Sequence, residues 1–431
     1  MNATASFEIP TLAQLLDPSF HLMKAIELWH QLPDIVPIFL TGVVLFGMVA
    51  VMGQAAAVVM VLMERKVLSW FTQRKGPNRV GPGGMFQTIA DGVKLLTKED
   101  IMTPVMDKFL FTLAPAIFLF PVFALYALVP FSESLIGVSL PLGLLVLFAL
   151  SSISVIGLVL AGWASNNKYS LLGGMRSAAQ TISYEVPLIL SVIGVVLFTG
   201  SGNLKTIIEA QSGGVLHWYG IMLTPLSFLL FYVASIAEVN RVPFDLPEAE
   251  SELVSGYNTE YSGMKFATFF LAEYAGLFVL SALTVALFFG GYTSPFGGTF
   301  MQNYGVADAI IQAVKLPAIK PLLINGEQIF WMLSKTYIFI YIAMLLRGTL
   351  PRLKPDQLMG FCWKFLIPLS LINLFMLGFA KQFSLSFSAD GFAGSWVYLA
   401  LAALVGIGGV GGFCHFIDRQ FKAQVAARYH A

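Results

Sequence analysis

Residues 35–63 read IVPIFLTGVVLFGMVAVMGQAAAVVMVLM, a run of 29 positions with no Asp, Glu, Lys or Arg. As an α-helix it would be about 43 Å long, against a bilayer hydrocarbon core of about 30 Å. A soluble core has no use for so long an uncharged stretch, so this run reads as a membrane helix that tilts strongly or projects beyond the bilayer. Composition carries that reading to the whole chain, since 57% of its 431 residues are hydrophobic and only 11% are charged. Soluble domains average about 25% charged residues. A formal net charge of +1 argues against nucleic acid as a partner.

Eight further apolar runs of membrane length follow, at 109–131, 140–163, 186–200 (with a turn upstream), 221–237, 264–289, 327–346, 361–380 and 395–417. The expected fold is therefore an all-α integral membrane protein with about nine transmembrane helices. There are no tandem repeats, and no Lys or Arg precedes Lys24, so no cleavable signal peptide is expected. Cys362 and Cys414 are isolated and the five His residues are scattered, which leaves no disulfide framework and no metal or iron–sulfur spacing. GIGGVGGF at 406–413 places Gly408 and Gly412 at helix-packing spacing, and no strand precedes it to suggest nucleotide binding.

The apolar runs alternate sides, and the basic residues choose between them. Segments 64–108, 164–185, 238–263, 347–364 and the tail from 418, with Lys265, hold 19 of the 25 Lys and Arg residues. The positive-inside bias makes that side cytoplasmic. The densest basic turn is QRKGPNRVGPGG, 73–84, for which topogenic anchoring is the simplest explanation. Behind it, Phe86, Ile89, Val93 and Leu96 recur at helical spacing with Asp91, Lys94 and Lys98 off the stripe, the pattern of an amphipathic interfacial helix.

Topogenesis does not explain the acids. The segment AEVNRVPFDLPEAESELVSGYNTEYSG, 237–263, carries Glu238, Asp245, Glu248, Glu250, Glu252 and Glu260 against one Arg241. Pro243 and Pro247 exclude a regular helix through its middle. Asp245 suits the cap of a following helix, with Glu248 at the capping-box position. Glu185 and Glu273 stand inside or beside apolar runs, where a carboxylate is a functional candidate by default.

ERKVLSWFTQRKGPNRVGPGG, ADGVKLLTKED, AGWASNNKYSLLGGMRSAAQTISYE, the acidic segment, AEY and RGTLPRLKPDQLM together resemble the H-type membrane subunits of NADH–quinone oxidoreductase, the quinone-site membrane component of respiratory complex I. The resemblance covers about residues 35–380. It implies an eight-helix core within 35–381, an N-terminal extension at 1–34 and an extension at 382–431 with a ninth helix. Lys354–Pro355 departs from the basic-then-apolar pair expected there. By resemblance this chain binds no flavin, cluster or metal and is not catalytic alone. Quinone is the substrate, with flavin and iron–sulfur clusters in partner subunits. Those partners are soluble peripheral-arm subunits on the cytoplasmic face, small membrane subunits and antiporter-like subunits, in a bacterial cytoplasmic membrane.

The same resemblance places Glu64, Arg65, Arg74, Asp91, Lys94, Glu238, Arg241 and Asp245 at the quinone chamber. It places Glu185, Glu248, Glu250, Glu252, Glu260 and Glu273 in proton coupling. Three competing readings have distinct signatures. A secondary transporter should show two matching halves with broken helices, which are not evident here. The related component of membrane-bound hydrogenases would match the basic turn and the acidic loop more loosely. A passive anchor would tolerate neutralised loop acids.

Overall fold

The computed structural model describes residues 35–245, 254–297 and 320–387, together with six helical positions between 404 and 422. The chain divides into two compact units, Met1–Ala50 and Val51–Ala431. In the first, the described residues 35–50 are helical. The N-terminal segment 1–34, Glu248, Glu250 and Glu252 lie outside the described residues. So does the ninth apolar run at 395–417, apart from isolated helical positions.

Among the described residues there are helices and turns and no strand. Helix α1 is Ile35–Phe71, and α2 is Gln87–Thr97. Then come α3 (Lys108–Tyr126), α4 (Gly143–Ala164) and α5 (Lys168–Thr199). The short α6 (Leu204–Glu209) precedes α7 (Pro225–Glu238) and α8 (Gly263–Phe288). Helix α9 is Lys320–Thr349, α10 is Pro355–Phe361, and a π-turn at Cys362–Leu366 joins α10 to α11 (Ile367–Phe387). Among the described residues, six segments are long and apolar enough to cross a membrane: α3, α4, α5, α8, Leu323–Thr349 of α9 and Pro355–Phe379 across α10 and α11. Helix α7 is apolar but has only 14 residues, about 21 Å of rise.

One expectation is corrected. Residues 164–185 are not a polar loop with a turn before Val186, because α5 runs unbroken through them from Lys168 and through Pro187. Hydropathy misses this half of the helix because its polar and small residues face protein rather than lipid. Ser170, Gly173, Ser177 and Gln180 are all buried. Gly173 allows the closest approach, since a Cβ there would stand 2.6 Å from Gly256 Cα. Side chains start the neighbouring helices: Asn167 accepts from Tyr169 N at 3.0 Å to cap α5, and Asp107 accepts from Phe109 N at 3.1 Å to cap α3.

Helix α8 is the central element, with 83% of its most apolar stretch covered by protein. Hydrogen bonds sort the connections into two ends. At one end Asp107 N reaches Ala164 O, Ile101 N reaches Ser262 Oγ, and Leu353 N reaches Pro243 O. At the other, Leu144 N reaches Gly202 O, Val215 N reaches Pro295 O, and Glu133 N reaches Gln328 Oε1. The basic turn and the start of the acidic segment belong to the first end.

Candidate functional site

Helix α1 ends at Phe71 and the chain turns at Gln73, whose φ is +52°. The basic turn folds back on the helix end, and Lys66 Nζ donates to Gly83 O at 2.7 Å. Gly84 has φ +81°, and a Cβ on it would lie 2.1 Å from Pro77 O, so the turn needs glycine there. Arg74 is exposed on this turn. The following α2 presents Phe86, Ile89, Val93 and Leu96 outward, all exposed, as an interfacial helix would. Its Asp91 meets Arg65 of α1 at 2.5 Å and Lys94 at 3.7 Å. Partial burial opposes ionisation of Asp91. The bond and charge of Arg65, with Gln87 and Lys94, outweigh it and hold the carboxyl below its ordinary pKa.

One residue earlier on α1, Glu64 is only 3% exposed. Its carboxylate accepts from Arg241 Nη1 at 2.9 Å and pairs through its other oxygen with Arg347 at the end of α9. The Arg241 guanidinium also lies over the Tyr274 ring, 4.0 Å from its centre. Arg241 sits on the tight turn after α7, and so does Asp245, whose carboxylate accepts from Arg352 Nη2 at 2.9 Å. One turn thus presents two buried charges, Arg241 to Glu64 of α1 and Asp245 to Arg352. The pairing of Asp245 with Arg352 gives it a role besides the expected helix cap, and the helix it would cap lies outside the described residues.

The remaining acids occupy separate sites. Glu273, 7% exposed on α8, accepts from Tyr257 Oη at 2.7 Å. Glu260 accepts from Asn167 Nδ2 at 2.7 Å. Glu185, half-buried in the middle of α5, accepts from Ser152 Oγ of α4, and its charge acts on Glu238 at the end of α7. Glu238 Oε2 is buried and has no hydrogen-bond partner among the described residues. No group of three or more His, Cys, Asp or Glu suited to a metal occurs among the described residues.

The sequence singles out Glu64, Arg241 and Asp245 but not the further partners Arg347 and Arg352. Arg347 and Arg352 both lie in RGTLPRLKPDQLM, and their place at the end of an apolar run, on the same side as Arg241, was the signal that could have found them. Tyr257 and Tyr274 lie in quoted motifs but are neutral, so charge patterning passes over them. Lys335, buried in α9, reads in the sequence only as a lysine inside a helix. It donates to Phe289 O, Gly291 O and Thr293 O at 2.7–3.0 Å, beyond the end of α8.

Residues 43–378 match the NADH dehydrogenase family. Over 316 residues the chain is 49% identical to the NADH-quinone oxidoreductase H subunit of Brevibacillus brevis, spanning 73% of this chain and 86% of that relative. It is 44% identical to NADH-quinone oxidoreductase subunit 8 of Rhodothermus marinus, over 79% of this chain and 97% of that protein. The H subunit from Dehalococcoides mccartyi is 43% identical over 78% of this chain and 85% of its own length. The match spans the buried ion pairs, both tyrosine contacts and the intramembrane acids, so the chain belongs to the NADH dehydrogenase family as an H-type membrane subunit of NADH–quinone oxidoreductase.

Proposed function

We propose that this protein forms the membrane side of the quinone chamber, where the soluble arm of the complex meets the bilayer, and couples quinone reduction to proton translocation. The observation that carries the proposal is Glu64, buried between Arg241 and Arg347 on the end of the molecule that also bears the basic turn. An acid held by two arginines is fixed in place and charge-paired, so it can shape a site for a polar quinone headgroup and respond to charge formed there. Arg65, Asp91 and Lys94 form the wall beside it, and Arg74 and the exposed basic turn face the soluble subunits. Flavin and iron–sulfur clusters belong to partner subunits, and quinone comes to this chain as substrate.

Glu248, Glu250, Glu252 and Glu260 extend the charge of the turn, and Glu185, Glu238 and Glu273 carry it into the membrane. Glu185 stands halfway along a spanning helix beside the exposed Ile182 and Val186. A carboxylate does not face lipid at that depth, so this face of α4 and α5 is where small membrane subunits pack and lead toward antiporter-like ones. Nine spans in the bacterial cytoplasmic membrane complete the reading, with α1, α7 and the run at 395–417 added to the six long apolar helices.

The test is Arg241→Lys in the assembled complex. Lysine keeps the charge but loses the planar fork that grips Glu64 and stacks on Tyr274. Quinone-linked NADH oxidation should fall at least about tenfold, the equivalent of one charge-assisted hydrogen bond, while NADH oxidation by ferricyanide stays normal. A passive anchor predicts unchanged rates with both acceptors.

A further inference from the structure

The turn that carries Arg241 and Asp245 is held from behind by a residue with no charge. Gln180 lies on α5 and is 0% exposed. Its Nε2 donates to Ala237 O at 2.8 Å and to Phe244 O at 2.7 Å. These carbonyls bracket the turn: one belongs to the last residues of α7, and the other comes three residues after Arg241 and one before Asp245. A single primary amide therefore closes both ends of the segment that presents the two charged side chains. The reversed amide would set its oxygen against two carbonyl oxygens, so the orientation is fixed. Within the turn, Arg241 N bonds Ile236 O at 3.2 Å and Phe244 N bonds Arg241 O at 2.8 Å, so the tied ends and the guanidinium belong to one hydrogen-bonded loop.

We propose that Gln180 is a positioning residue for quinone reduction, its amide fixing the turn that aims Arg241 at Glu64 and Asp245 at Arg352. The proposal rests on the chamber reading. Side-chain chemistry explains the choice of residue. Asparagine is one methylene too short to keep the same two contacts from the same backbone position. Glutamate has the length but, when ionised, has no donor. Leucine fills similar space and takes the amide donor from both carbonyls, leaving Ala237 O with the Asn240 N–H.

The experiment uses the assembled complex carrying Gln180→Leu, Gln180→Glu, Arg241→Lys, or Gln180→Leu with Arg241→Lys. The acceptor is decylubiquinone or menadione, whichever the unaltered complex reduces faster. Gln180→Leu should raise the quinone KM about tenfold, the loss of one to two buried hydrogen bonds, with kcat changed less than about twofold and ferricyanide reduction unchanged. The Gln180→Glu complex should regain activity relative to the unaltered one as pH falls, because a protonated carboxyl can donate one of the two bonds. Joining Gln180→Leu to Arg241→Lys should add little to the effect of Arg241→Lys by itself, since both act through one guanidinium.

An unaltered KM in Gln180→Leu, or effects that multiply in the double variant, overturns the proposal. If Gln180→Leu does not assemble, the isosteric Gln180→Glu decides, and a pH-independent activity ratio to the unaltered complex overturns it. Arg241→Lys with unaltered quinone kinetics overturns the chamber reading itself. An impaired Arg241→Lys beside a normal Gln180→Leu overturns only the assignment of Gln180.

Discussion

Removing Glu64 would leave two arginines behind, one of them buried, and that distinguishes it from a surface acid. Gln at this position keeps the size and can still accept hydrogen bonds, but Arg241 and Arg347 lose their shared counter-charge. Taking one partner from a buried pair costs about 3–5 kcal/mol, so Glu64→Gln should lower the thermal midpoint of the assembled complex as well as its quinone-linked rate. Asp91 is the contrasting case, because its Arg65 partner is 46% exposed and solvent screens the pair. Its folded pKa is depressed below 3.8, so its contribution to stability is present above that value and fades as pH falls through the folded one. Asp91→Asn should therefore cost under about 1 kcal/mol near neutrality and nothing in strong acid, measured as the difference between melting curves across pH. Arg241 stands out in the sequence as the one base in an acidic segment, whereas Glu64 and Asp91 are candidates only through the family resemblance. That Glu64 and Arg241 touch across 177 positions was not legible, since pairing is a property of the fold.

At the scale of the element, hydropathy locates the apolar helices but places few of them within a turn at both ends, and it fails where a helix is polar for internal reasons. Among the described residues, five of the six long apolar helices follow their hydropathy. Helix α5 does not, because half of it packs small and polar side chains against the turn near Tyr257 and against α7. Ser170 Oγ donates to Tyr257 O at 3.2 Å, one of several such buried contacts. That packing makes a steric prediction. Gly173→Ala would bring a Cβ to 2.6–2.8 Å of the Gly256–Tyr257 backbone, which has no flexible end to move aside. It should destabilise the complex by about 1–3 kcal/mol, seen as reduced abundance and melting temperature. Gly378→Ala on α11 meets nothing within 4 Å and should leave both unchanged. Lys335 makes a second element-scale prediction. Its ammonium gives hydrogen bonds to three carbonyls beyond the end of α8, so Lys335→Met should loosen that end and lower the melting temperature, while Lys335→Arg recovers part of the loss.

At the scale of the whole molecule, the two ends of the bundle differ in charge, and this difference predicts which way the chain faces. The end that joins 64–107, 164–168, 238–245, 254–265 and 347–357 is built from contacts such as Lys265 to Asp100 at 2.9 Å and Asn166 Nδ2 to Val105 O at 3.1 Å. Most of the chain's Lys and Arg residues lie there, against few at the end formed by 127–143, 200–220 and 289–297. Short loops rich in Lys and Arg stay on the cytoplasmic side, so residues 73–84 and 254–262 should both be cytoplasmic, and the turn around Leu216 should be on the outside. Labelling sites must be exposed, which favours Val254 at 58% and Leu216 at 69%. Single cysteines replacing Arg79, Val254 and Leu216 in a Cys362→Ser, Cys414→Ser background then test the arrangement with an impermeant maleimide. In sealed right-side-out vesicles only the Leu216 position should react. In inverted vesicles stripped of the soluble arm, Arg79 and Val254 should react and Leu216 should not. Labelling of Arg79 and Val254 from opposite sides would contradict the bonds that join their loops, and labelling of all three from the outside would reverse the charge-based orientation.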